Sequence, residues 1–575
     1  MICYNYMKIE KRKEKRKMKD IKEMLNKNKY IYLCLGIIFL LSVVPYLNGD
    51  VIAGDDVPYH LNRIIEIAKG LQFKEIPVLI YTNLLDEFGY GSPLFYPDLF
   101  LYIPAVMVNL QLGIMGSYKI FILMISFITT IVTYLCANKI FKDSKKSLLT
   151  TFLYVLSTYR LGDIYVRGAL GEILVFIFIP LIVVGLHEII FGENKKWWIV
   201  CIGIWGVLNS HIISSALVLF YIFLFCLFNI KTIFKDKKRL INLSIAGVIS
   251  ILLSLNFVTS YMSQINANTY VMEITNANKE FLVTCVSGFK DLFNNDIKGT
   301  GVNFSIGPVL ICLTLLFLFI KDKDKVKDSF FIQSFWIGII MLLTTTKIFP
   351  WDKLTFLSIL QFPYRISLIF TVLFSFVASE AVFRVLKNEK VIVGLILILF
   401  LISVIQILEI NININDFTLT QVLENFPIGY EEYKPVQLDR SKKFVAYVDD
   451  LNKIKNGKYE HLKMGFIKRG TNMEFVIEDP NRPIRINVPL TYYNGYEAYI
   501  VDENGTEHEL NVSYNDKNAN LLITSDEIIT GRVFIEFNMP RLHLIGFWIS
   551  NITFAGLIIY IIVATIEKIR KKVKQ

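Results

Sequence analysis

Apolar runs of bilayer-crossing length recur along most of this chain. A span needs about 20 mostly apolar residues, within a range of about 17–25. Runs at or near that length lie at 30–47, 117–137, 148–159, 172–190, 197–211, 212–229, 240–261, 305–320, 329–346, 365–386, 391–409 and 541–566. The run 148–159 and the pair around Asn209–His211 are short and predict broken helices. A further run, 94–115, carries Pro97, Asp98 and Pro104 and follows Pro93. It is assigned to a re-entrant or surface segment, because otherwise the loop 138–147 (NKIFKDSKKS) would fall on the outer side with its four Lys. About twelve spans then place that loop, 231–239 (KTIFKDKKR), 321–328 (KDKDKVKD) and 387–390 (KNEK) together in the cytoplasm, as the positive-inside rule requires. Both termini fall on the cytoplasmic side of the cell membrane. The run at 30–47 lacks an A-x-A-like cleavage site and reads as an uncleaved signal anchor.

The pattern changes over 410–540. The stretches KKFVAYV, MEFVIED, PIRINVPL, EAYIVDENG and GRVFIEF alternate apolar with polar or are β-branched, with Asn/Gly turns between them. They predict an antiparallel sandwich or jelly roll. The expected fold is a polytopic α-helical membrane protein with a β-rich extracytoplasmic domain before its last span. Its parts are a basic cytoplasmic tail 1–29, a transmembrane domain 30–409 with a first outer loop 48–116, the β-rich domain 410–540, a last helix 541–566 and a basic tail 567–575. The other outer pieces are 159–171, 262–304 and 347–364.

Composition agrees. Of 575 residues, 54% are hydrophobic and only 19% charged, against roughly 25% in soluble domains. That excludes a disordered chain, a small disulfide scaffold and an ordinary soluble enzyme. The net charge of +11 is accounted for by the two basic tails, +7 over 1–29 and +4 over 567–575, so no nucleic acid is expected as a partner. The β-rich domain has no cysteine and is expected to fold on its own core without a disulfide.

Ionisable groups near a membrane are costly and therefore informative. Four clusters lie at the outer side of the predicted topology. After the first span comes Gly54-Asp55-Asp56, opening a helix near Pro58 on which Leu61, Ile64, Ile65, Ala68 and Leu71 share one side and Asp56, His60 and Arg63 the other. Such a helix would lie on the membrane surface. Paired carboxylates beside a His suit a general base or a divalent metal, and equally a helix cap. Second is Tyr159-Arg160-Leu161-Gly162-Asp163, with Arg167 and Glu172 following. Arg160, Asp163 and Arg167 would share a helical face and could hold phosphate by bidentate forks, or form a local ion cluster. Third is Asn209-Ser210-His211 with Ser214 and Ser215, where a hydrogen-bonded buried His is the bland reading. Fourth is Gln361-Phe362-Pro363-Tyr364-Arg365, where Arg365 either reaches headgroups or binds an anion.

The runs GDDVPYHLNRI, YGSPLFYPDLFLYIP, LSTYRLGDIYVRGALGE, SHIIS and LQFPYR, with TYYNGYEAYIVDENG near the end, resemble the GT-C superfamily of membrane glycosyltransferases. Within it they are most similar to the bacterial YfhO-like proteins and the 6-pyruvoyl-tetrahydropterin synthase-related membrane proteins. Nothing in the chain suggests pterin chemistry. The resemblance implies sugar transfer from a polyprenyl-phosphate donor to a cell-envelope glycan, lipid or protein acceptor at the outer face. It implies catalytic roles for Asp55, Asp56 and Asp163, with the same three as candidate ligands for Mg or Mn. His60, Arg63, Arg160, Arg167, Glu172, His211, Gln361 and Arg365 would bind substrate. A transporter of lipid-linked glycans would place its ionisable groups nearer the midplane, and a non-catalytic scaffold leaves the charges at the span ends unexplained.

Overall fold

In the computed structural model, residues 28–47, 51–52, 54–275, 279–293, 305–321, 329–412, 416–417, 431–438, 447–448, 467–477, 483–514 and 519–574 are described. Expectations for the tail before residue 28, the loop 322–328, most of KKFVAYV and much of 410–466 lie outside them.

Among the described residues six helices are long and apolar enough to cross a membrane: Ile114–Phe141, Leu170–Ile190, Lys237–Ile265, Pro363–Val385, Glu389–Ile410 and Arg541–Glu567. Shorter apolar helices are Asn28–Leu41, Leu99–Leu112, Trp198–Leu208, Ile212–Phe228, Pro308–Phe319 and Ser329–Thr344. The chain is thus a helical membrane protein, and among the described residues six helices meet the length criterion where about twelve spans were expected. The segment around Pro104 is short and broken, with Gln111 at φ +68°. Helices 170–190 and 363–385 are sheathed by the others. The last helix packs on Lys237–Ile265, where a Cβ on Gly546 would collide with Thr259 Oγ1 and Ser550 Oγ accepts the Asn256 N–H at 2.7 Å. The Lys-rich loops that are described gather at one end. Lys139 pairs with Glu188 at 2.5 Å, Lys146 with Glu380 at 2.6 Å and Lys145 with Glu389 at 3.1 Å, while Arg239 caps the carbonyls of Ile189 and Ile190.

At the other end sits an antiparallel sheet that has eight strands among the described residues: β1 Tyr447–Val448, β2 Ile467–Arg469, β3 Asn472–Ile477, β4 Arg485–Thr491, β5 Tyr496–Val501, β6 Glu507–Tyr514, β7 Asn520–Thr524 and β8 Gly531–Phe537. Their order is β1-β4-β7-β6-β5-β8-β3-β2. The expected sandwich or jelly roll is replaced by a single sheet curled on itself. The corner is β6, whose residues 507–510 pair with β5 and whose residues 511–514 pair with β7. Alternate residues of β3 to β8 share one apolar core, as the period-2 pattern demands. That core is not self-contained: Ile80, Leu94, Phe95, Tyr270 and Met272 from the helical part complete it. The expectation that the sheet folds on its own core is corrected accordingly. Polar contacts reinforce the junction, with Thr471 N–H donating to Glu75 Oε1 at 2.7 Å and Lys468 Nζ to the carbonyls of Thr82 and Glu87 at 2.9 and 2.6 Å.

Candidate functional site

The helix Val57–Gln72 begins where the sequence placed it, with Pro58 in its first turn. It does not lie on a surface. Leu61, Ile64 and Ala68 are buried on one side, and His60, Arg63 and Glu66 are buried on the other. Each polar group on that side has a fixed job. The Leu170 N–H at the start of helix 170–190 donates to Gly168 O at 2.8 Å and is shared with His60 Nε2 at 3.2 Å. Burial, with Arg63 and His211 adding to it, holds the His60 ring well below its ordinary pKa and so neutral. Arg63 donates to Pro97 O at 2.7 Å and lies over the rings of Tyr96 and Tyr59 at 4.5 and 5.3 Å. Glu66 holds Asn83 through its main-chain N–H and side-chain amide. These residues splice the first loop to its neighbours.

A short main-chain ladder brings the first and second clusters together. Asp55 N–H donates to Val166 O at 3.1 Å and Asp56 N–H to Arg167 O at 2.7 Å. Two glycines permit that approach. A Cβ on Gly54 would stand 2.7 Å from Gly168 N, and Gly168 itself takes φ +62° with its hydrogen against Val57. The Asp pair is therefore held beside Arg167 by backbone.

Around Arg167 the charges close on one another. Arg167 donates to Asp163 Oδ1 at 2.5 Å and to Glu172 Oε1 at 2.9 Å. Glu172 also faces Arg365 Nε at 2.9 Å and accepts from Tyr159 Oη at 2.9 Å. Arg365 donates to Gln361 Oε1 at 2.7 Å and to Leu360 O at 3.2 Å. All four charged residues are buried. The expected common face for Arg160, Asp163 and Arg167 does not form. The helix Thr158–Gly162 widens by one residue per turn over Asp163–Arg167, which rotates Arg160 away. Its guanidinium goes to Val155 O at 2.9 Å and Ser126 Oγ at 3.0 Å.

Asp55 and Asp56 stand in contrast. Asp55 is exposed and Asp56 half-buried. Asp56 occupies the position preceding the helix, yet its side chain makes no capping bond. Among the described residues neither carboxylate accepts a hydrogen bond or closes an ion pair. Burial raises the pKa of both, and Arg167 pulls both partly back, joined on Asp56 by Arg365.

His211 fits the bland reading. It caps helix 212–228 by accepting the Ser214 N–H on Nδ1 at 3.2 Å, with its ring edge-on to Tyr96 at 5.8 Å. The proposed Mg or Mn ligands do not fit a metal. Among the described residues no group of three His, Cys, Asp or Glu side chains is placed to hold one, and Asp163 gives Oδ1 to Arg167 while its buried Oδ2 accepts no hydrogen bond. The site also contains Glu432, which sequence reading missed. Gln361 Nε2 reaches its carboxylate at 3.4 Å. Only its double acid, Glu431-Glu432, in a stretch without strand periodicity was there to notice.

Residues 94–415 match the 6-pyruvoyl-tetrahydropterin synthase related domain, a membrane-protein family, and the chain belongs to that family. This is the family its motifs resembled. An uncharacterized protein of Lactococcus lactis subsp. cremoris (strain MG1363) is 21% identical over 598 residues, covering 93% of this chain and 95% of that one. Solved structures similar to it include the arabinofuranosyltransferase AftD from mycobacteria, at 9% identity and TM-score 0.42 over 66% of this chain. Another is ArnT from Cupriavidus metallidurans bound to undecaprenyl phosphate, at 11% identity and TM-score 0.35 over 62% of this chain. A third is the Archaeoglobus fulgidus oligosaccharyltransferase, at 13% identity and TM-score 0.34 over 67% of this chain. This chain spans 27%, 60% and 54% of those three.

Proposed function

We propose that the protein is a GT-C-type glycosyltransferase that moves a sugar from a polyprenyl-phosphate carrier to a hydroxyl of a cell-envelope glycan, lipid or protein at the outer face. One observation carries the reading: two neighbouring carboxylates stand without a partner beside a buried arginine network, at the end of the helical bundle that bears the sheet. An unpaired carboxylate held by its own backbone is suited to take a proton, and its raised pKa brings it closer to that of a useful base. Asp55 takes the proton of the acceptor hydroxyl as that oxygen bonds to the anomeric carbon. The bond from this carbon to the phosphate oxygen breaks in the same displacement, and its electron pair leaves with the phosphate. Arg365 and Arg167 lend positive potential to the departing phosphate. Asp56 shares the base's environment, and Asp163 and Glu172 keep the arginines in place. Arg160 has no part in this step. The donor class rests on the resemblance of the motifs.

The test is transfer of radiolabelled sugar from polyprenyl-phosphate donors in membranes containing the wild type or Asp55→Asn at equal level. Transfer with inversion at the anomeric carbon, lost in the variant, is expected. Undiminished transfer by Asp55→Asn would remove the base assignment.

A further inference from the structure

The chain passes across the site on its way from the helices to the sheet. Residues 431–436 form a strap whose main chain is pinned from both sides. Val271 N–H donates to Lys434 O at 3.0 Å, Met272 N–H to Glu432 O at 2.7 Å and Val436 N–H to Thr269 O at 3.0 Å. Tyr433 N–H meets Tyr90 Oη at 3.3 Å, and Tyr493 Oη donates to Tyr433 O at 3.1 Å. The Tyr433 ring stacks on Phe95 at 5.5 Å with 6° between planes. It also lies 6.4 Å from Tyr96, which is itself 6.4 Å from Tyr59.

Within this fixed strap the Glu432 side chain is left open. Among the described residues its only hydrogen bond is the long one from Gln361. The charges acting on it are those of Arg365 and Asp56, and burial raises its pKa against the pull of Arg365. A carboxylate whose backbone is locked and whose oxygens hold only that one long bond offers a ligand an acceptor at reduced cost, because only its side-chain rotamers remain to be ordered on binding. A carboxylate can accept from two adjacent hydroxyls at once. Next to the strap the half-buried Tyr96 ring lies against Tyr433 and the half-buried Tyr59 ring against Tyr96, each with Arg63 over one face.

We propose that Glu432 is a substrate-binding residue that accepts hydrogen bonds from neighbouring hydroxyls of a sugar ring lodged between the strap and the helix 57–72, with Tyr59 and Tyr96 as its apolar wall. The proposal deepens the glycosyltransferase reading and rests on it for the class of ligand. It also gives the sheet a role, since the strap that carries Glu432 is braced by Tyr493.

The test uses the full chain in lipid nanodiscs and saturation-transfer-difference NMR with the methyl glycosides of glucose, galactose, mannose and arabinose. Ring-proton enhancement is expected for at least one glycoside, and roughly tenfold weaker binding in Glu432→Gln, the worth of about one charge-assisted hydrogen bond. Glu432→Asp, which keeps the charge but shortens the reach, is expected to fall between the two. Melting temperature reports whether each variant is folded. Displacement of the glycoside by undecaprenyl phosphate carrying the same sugar, but not by undecaprenyl phosphate alone, identifies a donor subsite. Retention in the presence of both identifies an acceptor subsite. Wild-type binding in both variants, or no enhancement by any glycoside in the wild type, overturns the proposal. Glycoside binding that depends on Glu432 in a protein that transfers no sugar would leave this inference standing and remove the transfer reading.

Discussion

Two acidic groups at the same end of the molecule have opposite fates. Asp163 and Glu172 are buried and share the guanidinium of Arg167, and Glu172 also faces Arg365. Asp55 and Asp56 lie one main-chain ladder away and close no pair among the described residues. Burying a charge without a partner is expensive, so a buried carboxylate is normally paired. The closed network therefore reads as framework, whose charges hold each other. The open pair reads as the part kept available: Asp55 is exposed and needs no partner, and the cost of leaving the half-buried Asp56 unpaired is sustained by the glycine contact between residues 54 and 168 and the main-chain ladder.

The sharpest way to break this contrast is to neutralise one member of each group. Asp55→Asn should lose on the order of 10²–10⁴ in transfer rate if Asp55 is the base, with folding intact. An Asp serving only as a cap would give a near-silent variant, since Asn caps almost as well. Glu172→Gln should behave in the reverse manner. It strips Arg167 and Arg365 of their shared anion, and removing one partner of a buried pair costs about 3–5 kcal/mol. Thermal unfolding in detergent should show that loss, and a variant as stable as the wild type would contradict the framework role.

The two arginines of the YRLGDIYVRG run sharpen the contrast further. Arg167→Lys cannot span both Asp163 and Glu172, so a loss of roughly 1.5–3 kcal/mol is expected, the worth of a hydrogen bond to a charged group. It should be accompanied by a change in transfer. Arg160→Lys loses a charge-assisted contact to Val155 O or Ser126 Oγ and should cost about 1.5–3 kcal/mol of stability as well, but with transfer per folded molecule unchanged. Equal kinetic damage from both would restore the shared phosphate site that the widened turn argues against.

The smallest effect concerns pH. Burial raises the pKa of Asp56 in the folded protein above its unfolded value. The ionised form therefore costs stability in full above the folded pKa, and that cost shrinks as pH falls through it and is gone below the unfolded pKa. Asp56→Asn should melt higher than the wild type at pH 7, and the gap should close toward acid pH. A gap that widens on acidification would mean that Asp56 is stabilised as an anion by a partner.

Hydrophobic pattern alone was enough to read a helical membrane protein, a β-rich segment before the last helix and the positions of its main strands, because burial imposes periods of 3.6 and 2 directly on the sequence. The strands Ile467–Arg469, Glu507–Tyr514 and Asn520–Thr524 were missed, the long one because it opens on three polar residues, Glu507-His508-Glu509, and leaves only Leu510, Val512 and Tyr514 to carry the period. Charge placement likewise pointed to Asp55, Asp56, Arg167, Glu172 and Arg365, since costly groups at span ends stand out in an apolar chain. Sequence could not say which of them are spent on each other. That was decided by a one-residue widening that turned Arg160 away, and by two glycines whose missing side chains let distant loops touch. The same holds for Glu432, whose relevance depends on a strap folding back over helices hundreds of residues earlier in the chain. It holds too for the sheet's core, completed by Ile80, Phe95 and Tyr270. Local periodicity records which side of an element is buried; which neighbour buries it is settled only by tertiary packing.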